Sequence, residues 1–376
     1  MEKLLPDICR IQYGYAFDSA RFSDSEGIPL IRIRDVVRGY SETYTTEKCG
    51  EEYVVNDGDM LIGMDGEFNI AHWNGGKAYL NQRVCKLMPT DEVDALYLYY
   101  FMPKALKAIE DKTPFVTVKH LSAKELNNVV VPMPAMEEQK KIANSLHGVD
   151  ELIALRKEQL AKLDQLVKSR FIELFGDCLT NPKGWKTKHL EDIAEVGSSK
   201  RVFVEDLKES GIPFYRGTEV GALAEGKPIK PELFITEEHY FELCEATGTP
   251  RIGDLLMPSI CPDGRIWVVN SDEPFYFKDG RVLWVHNIDA SYNSIFLLYT
   301  LKDRIMTDYS SIASGTTFAE LKIFALKKCR IFDVPLAMQN EFATFIKQTD
   351  KSKFDLKKSL EKLETLKKSL MQQYFG

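Results

Sequence analysis

A chain of 376 residues, 44% hydrophobic and 28% charged, is too long for one ordinary core and too apolar to be disordered, so a globular protein of two domains plus connecting elements is expected. Its net charge of −7 excludes a uniformly basic nucleic-acid coat: Pro134–Gly176 is neutral and Val334–Gly376 carries +3, leaving −10 elsewhere, and DNA binding would need local basic clusters or a partner. No run of 18 apolar residues occurs, Met1–Arg10 lacks a signal peptide's apolar core, and the seven cysteines form no Cys-x-x-Cys pair; these features predict a cytoplasmic protein with no membrane contact, reduced buried thiols, no cofactor and no metal site.

In chain order, Gly27-Ile-Pro-Leu-Ile-Arg-Ile-Arg-Asp-Val36 leaves a Gly/Pro turn and alternates apolar with basic residues, predicting a strand with Arg32 and Arg34 on one face. Val55–Met64 predicts a Gly-Asp turn delivering a buried strand, and Asn81–Leu87 a third strand. A helix is expected at roughly Asp94–Asp111, then small polar residues in Thr113–Leu121 and an extended segment, Val129–Pro134, stopped by proline. Glu137 and Glu138 open a long amphipathic helix, and the turn-rich Asp177–Trp185 links it to a second round. That round repeats the order: Gly211–Val220, Arg251–Pro258, Lys278–Trp284, a helix near Ser294–Thr307, then Ser314–Leu321 and Ile331–Pro335.

Sliding the chain by 200 residues without a gap superposes Gln139, Asp150, Leu160, Leu163, Leu166, Phe175 and Gly176 on Gln339, Asp350, Leu360, Leu363, Leu366, Phe375 and Gly376. The chain is thus a tandem repeat, and each repeat ends in a long helix. Ile153, Leu160, Val167 and Leu174 recur every seven residues with Leu163 and Leu166 beside them; Leu356, Leu363 and Leu370 do the same with Leu360 and Leu366. Such stripes want a partner helix, and the other copy is the nearest candidate, packed antiparallel. The segment Val149–Phe175 is roughly 40 Å long at 1.5 Å per residue, or about 12 base pairs of duplex, a ruler for half-sites about one helical turn apart.

No catalytic constellation emerges. Asn181-Pro-Lys-Gly-Trp185 departs from an amino-methyltransferase motif at Lys183, Pro262-Asp263 with Glu273 lacks the lysine of a nuclease cluster, and no phosphate-binding loop occurs. What remains are basic and amide side chains at strand edges. Arg32, Arg34, Asn81, Arg83, Arg216, Lys278 and Arg281 are of the types that read base edges, and Thr117, Lys119, Thr218, Thr316 and Thr317 suit phosphate oxygens. Any one of them alone is better read as a surface ion pair or turn cap; only the set, repeated in two lobes, makes a candidate DNA-binding surface.

The Gly-Ile-Pro starts at Gly27 and Gly211, the Gly-Asp turns at Gly58 and Gly253, Pro182–Ile193, and Val131–Ile142 leading into a leucine-striped helix ending Leu-Phe-Gly make the chain resemble the specificity subunits of type I restriction-modification systems. The resemblance covers nearly the whole chain. It implies a mixed α/β fold of two target-recognition lobes, at 1–133 and 177–333, separated by two long antiparallel coiled-coil helices at 134–176 and 334–376 with pseudo-twofold symmetry. It also implies a non-catalytic reader of a bipartite site in double-stranded DNA that docks two adenine-methyltransferase subunits, with restriction/translocase subunits joining them. Two departures stand out: the first lobe begins almost at Met1 without the tryptophan-bearing lead-in seen at Trp185, and Met338 stands where Glu138 does in the first copy. A coiled-coil scaffold whose duplicated lobes bind proteins is the alternative reading of the acidic surface.

Overall fold

The computed structural model describes residues 1–113, 119–315 and 319–376. The candidate residues Thr117, Thr316 and Thr317 lie outside the described residues. Two compact units form, and they do not follow chain order: one comprises Met1–Glu158 with Lys357–Gly376, the other Gln159–Leu356.

The first unit contains, in order, β1 (Glu2–Leu4), β2 (Cys9–Tyr13), β3 (Ile28–Ile31), α1 (Ile33–Arg38), β4 (Met60–Gly63), β5 (Asn69–His72), β6 (Ala78–Leu80), β7 (Val84–Pro89), α2 (Ala95–Lys112), β8 (Val130–Pro132) and the start of α3 (Met136–Phe175). An antiparallel sheet runs β2-β7-β4-β5, β3 pairs in parallel with β6, and β1 pairs with β8. Alternation along β4 and β7 buries both faces. Ile62, Cys85 and Leu87 meet Leu98, Met102 and Leu106 of α2 and Leu146 of α3, while Leu61 and Val84 meet Ile31, Val36 and Trp73. Turn chemistry aims β4: Gly58 takes φ +89°, and the Asp59 carboxylate accepts the Asn56 N–H at 2.8 Å and faces the Lys86 ammonium at 3.3 Å.

The second unit holds β9 (Thr187–His189), β10 (Glu195–Gly197), β11 (Ile212–Tyr215), α4 (Gly217–Ala224), β12 (Leu255–Pro258), β13 (Trp267–Val268), β14 (Tyr276–Phe277), β15 (Val282–His286), α5 (Ser294–Ile312), β16 (Arg330–Phe332) and the start of α6 (Leu336–Phe375). The pairing repeats, as β10-β15-β12-β13, β11 parallel to β14, and β9 with β16. Gly253 takes φ +96°, and Asp254 accepts the Arg251 N–H and the indole N–H of Trp284, both at 2.9 Å. Trp284 occupies the place of Lys86, so the carboxylate after each glycine, half-buried in Asp59 and buried in Asp254, keeps one side-chain donor of either chemistry. β1 also matches β9, so that Leu5-Pro-Asp-Ile8 answers Leu190-Glu-Asp-Ile193.

Two expectations are corrected. The strand foreseen over Gly27–Val36 stops at Ile31; the Asp35 carboxylate accepts the Arg32 N–H at 2.9 Å and turns the chain into α1, so Arg32 and Arg34 do not share a strand face. Glu219 does the same for Arg216 at 2.8 Å and starts α4. Leu166 and Leu366 also leave the helical stripes, being 49% and 45% exposed. A single partner helix covers a narrow arc, and Leu166 lies one residue, about 100° of rotation, from the buried Val167.

Within each unit α3 and α6 run antiparallel. In the first, Asp150 pairs with Lys367 at 2.6 Å, Arg156 donates to Ser359 at 3.2 Å, and Lys157 approaches Glu364 at 3.9 Å. In the second, Asp164 pairs with Lys353 at 2.6 Å and Arg170 with Glu341 at 2.5 Å. Ile153 and Val167 are buried along the seam, with Leu160, Leu163, Leu356, Leu360, Leu363 and Leu370 half-buried. Phe375, at the end of α6, enters the core of the first unit, 5.5 Å from Tyr97 and 5.7 Å from Phe101. Phe175, at the end of α3, enters the core of the second, 4.8 Å from Phe296 and 5.7 Å from Phe342.

The repeated glutamines also have a physical role. Gln139 accepts the Asp94 N–H at 2.9 Å and donates to the Pro134 carbonyl at 3.0 Å; Gln339 accepts the Asn293 N–H at 2.8 Å and donates to the Val334 and Ser291 carbonyls at 2.9 and 3.1 Å. Each buried amide ties the start of a long helix to the N-cap of the lobe helix it packs on. Gln339→Leu keeps the volume but strands these groups, so a cost on the order of 3 kcal/mol is expected. A lower urea midpoint at unchanged slope checks it.

Candidate nucleic-acid interface

The turn that starts α1 and the turn between β6 and β7 meet at one open cleft, lined by Arg32, Arg34, Asn81 and Arg83 together with Asp65 and Gln82. Four candidates scattered over fifty positions of sequence are thereby brought together. Arg32 projects from the N-cap position of α1 and makes no side-chain hydrogen bond or ion pair among the described residues. Arg34 is 3.5 Å from the buried Asp35 and 3.4 Å from the Thr43 hydroxyl. Arg83, half-exposed, lies 3.6 Å from Asp65, and its guanidinium rests 3.2 Å from both ring nitrogens of His120, which in turn sits 2.5 Å from Asp65. Lys119 does not join them: its ammonium donates to the Glu110 carbonyl at 2.7 Å, beside the Glu110 carboxylate, and so caps the end of α2.

An equivalent cleft in the second unit gathers Arg216, Thr218, Lys278 and Arg281, with Ser259 and Arg265. Its charges are largely spoken for. Arg216 is held by Glu219 at 2.6 Å and Glu232 at 3.0 Å, which raises its already high pKa; burial pushes the Glu219 carboxyl up, but hydrogen bonds from the Arg216 side chain and backbone and from Thr218 outweigh this and hold it at about 2. Arg265 pairs with Asp263 at 2.8 Å, and Arg281 with Glu320. Lys278 alone of these cations makes no side-chain pair among the described residues. A cleft of forked donors balanced by carboxylates attracts phosphate weakly and is better suited to neutral polar edges; the first cleft, with Arg32 unpaired among the described residues, keeps a net positive charge.

Sequence reasoning missed Asp65, Gln82, His120, Ser259, Arg265 and Glu320. Gln82 sat between two chosen residues, and the positions just past the ends of β4 and β12, where Asp65 and Ser259 fall, were a usable signal. All seven cysteines are free thiols, and burial pushes those of Cys85 and Cys261 up to about 12 and that of Cys9 to about 11. Among the described residues no helix is long and apolar enough to cross a membrane.

The profile of the type I restriction modification DNA specificity domain matches residues 1–165 and again 182–368. The EcoBI type I restriction enzyme specificity subunit of Escherichia coli is 39% identical over 212 residues, an alignment spanning 55% of this chain and 44% of that protein. The MjaVIII specificity subunit of Methanocaldococcus jannaschii is 24% identical over 383 residues, spanning 91% and 87%. Among solved structures, the type I restriction-modification S subunit from M. genitalium superposes with a TM-score of 0.61 at 15% identity, over 100% of this chain and 96% of that one. A chain from work on assembly and conformational transition of the type I R-M system reaches 0.58 at 17% identity, over 100% and 97%. These likenesses match the mixed α/β, duplicated architecture.

Proposed function

On the premise that the chain belongs to the type I restriction modification DNA specificity family, whose domain it carries twice, we propose that its two arginine-bearing clefts each read one half of a bipartite site in double-stranded DNA. The observation that carries this reading is the recurrence of one construction: an arginine at the N-cap position of a short helix (Arg32, Arg216) facing an arginine before an inner strand (Arg83, Arg281), on matching elements of two lobes. Arg34, Asn81, Thr218 and Lys278 complete the two surfaces. The chain itself performs no chemistry. It acts in the cytoplasm with two adenine-methyltransferase subunits, which supply the sequence-independent phosphate attraction that an acidic chain lacks, and restriction/translocase subunits join that complex.

Two measurements test the proposal. The isolated chain should bind duplex weakly and lose affinity steeply with salt, while the chain with methyltransferase present should bind one bipartite sequence tightly. Mapping methylated adenines in host DNA with and without this gene should show loss of a single bipartite motif. Equal affinity of the full complex for all sequences, or an unchanged methylation map, would sink the proposal.

A further inference from the structure

Arg83 and Arg281 occupy one structural position. The Arg83 carbonyl accepts the Met64 N–H at 3.0 Å and the Met64 carbonyl accepts the Leu121 N–H at 2.7 Å; the Arg281 carbonyl accepts the Ser259 N–H at 2.9 Å and the Ser259 carbonyl accepts the Leu321 N–H at 2.7 Å. These bonds make position 65 the equivalent of 260 and position 120 the equivalent of 320. At the first pair of positions the lobes carry Asp65 and Ile260, at the second His120 and Glu320. The carboxylate beside the arginine therefore comes from different segments in the two lobes: from just past β4 in one, and from the segment around position 320 in the other. Yet each arginine has one, Arg83 from Asp65 at 3.6 Å and Arg281 from Glu320. Where one position carries no acid, the adjacent one supplies it.

Stability does not account for this. Both guanidinium groups are half-exposed, at 50% and 57%, and ion pairs so exposed contribute little to folding. What a carboxylate on one side of a guanidinium does is fix the plane and direction of the fork while leaving its remaining N–H groups open to the cleft. A fixed fork lowers the ordering cost of a bidentate hydrogen bond, and the base edge that accepts two such bonds is the N7/O6 edge of guanine in the major groove.

We propose that Asp65 and Glu320 are positioning residues that hold Arg83 and Arg281 for recognition of a guanine, one in each half-site. The proposal rests on the reading of the two clefts as the DNA-binding surfaces. His120, whose ring nitrogens lie 3.2 Å from the Arg83 guanidinium and which is bonded to Asp65, completes the clamp in the first lobe. In the second lobe Glu320 stands at the position of that histidine and clamps directly.

The experiment uses the full chain in complex with the methyltransferase of its native host and a randomised duplex library, from which the bound sequence is selected; each base is then varied and the affinities compared. Arg83→Lys, which keeps the charge but not the fork, is expected to reduce the preference for guanine at one position at least about tenfold. Asp65→Asn is expected to erode the same preference by a similar factor, while affinity for unrelated duplex holds or rises because an acid has gone. The double variant Asp65→Ile/His120→Glu, which gives the first lobe the arrangement of the second, is expected to restore the preference. If Asp65→Asn leaves the base preference intact while Arg83→Lys erases it, the positioning role is wrong and the cleft still reads DNA. If Asp65→Asn weakens all sequences equally, its role is structural and the proposal falls. If Arg83→Lys changes no base preference, the reading of the cleft itself falls with it.

Discussion

Replacing Phe375 by alanine is expected to destabilise the first compact unit by about 3–5 kcal/mol, the usual cost of deleting a buried aromatic ring, and to do so far along the chain from the lobe it weakens. The ring is 5% exposed and contacts Tyr97 and Phe101 of α2, although it belongs to the helix that follows the second lobe. Faster amide exchange should therefore appear in α2, with α5 protected as before. Phe175→Ala should give the converse, since Phe175 packs on Phe296 of α5. Hydrogen exchange resolved by peptide checks both variants. Loosening of α5 rather than α2 in Phe375→Ala would contradict the assignment of that core.

Removal of one heptad from both long helices should move the spacing of the recognised half-sites. Shortening α3 alone, by deleting Leu160–Leu166, would break the pairing of Asp164 with Lys353 and throw its seam out of register. Pairs such as Asp164–Lys353 and Arg156–Ser359 put the matching deletion at Lys351–Lys357, one heptad of α6. Seven residues correspond to roughly 10 Å of helix and about three base pairs of duplex. Selection from a random library should return half-sites about three base pairs closer, or no specific site at all if the accompanying turn of the duplex carries one half away from its reader. Recovery of the original spacing by a folded, assembled variant would rule out the ruler.

Much of this architecture was legible because repetition is independent of local propensity. The ungapped offset of 200 residues marked Gln139, Phe175 and their partners before any contact was known, and turn glycines located β4 and β12. Local rules failed where one residue could serve two geometries. Arg32-Ile-Arg alternates as a strand does, but Asp35 three residues on captures the Arg32 amide and makes a helix start; the Arg-x-x-acid spacing held that information, and the alternation hid it. Leu166 fits a heptad stripe on paper, yet the seam between two helices is narrower than a leucine count implies. The clefts were legible only as a set. Which arginine is free and which is held depends on carboxylates such as Glu232 and Glu320, remote in sequence from the residues they restrain.

Because the phenylalanine that completes each core is borrowed from the helix after the other lobe, cutting the chain between repeats yields no self-sufficient half. A half-length chain would carry an unfilled socket and a spare plug, and since the two repeats are alike, a second identical copy offers both. Such fragments are expected to associate by mass action into a twofold-symmetric pair, seen as a doubled mass in solution.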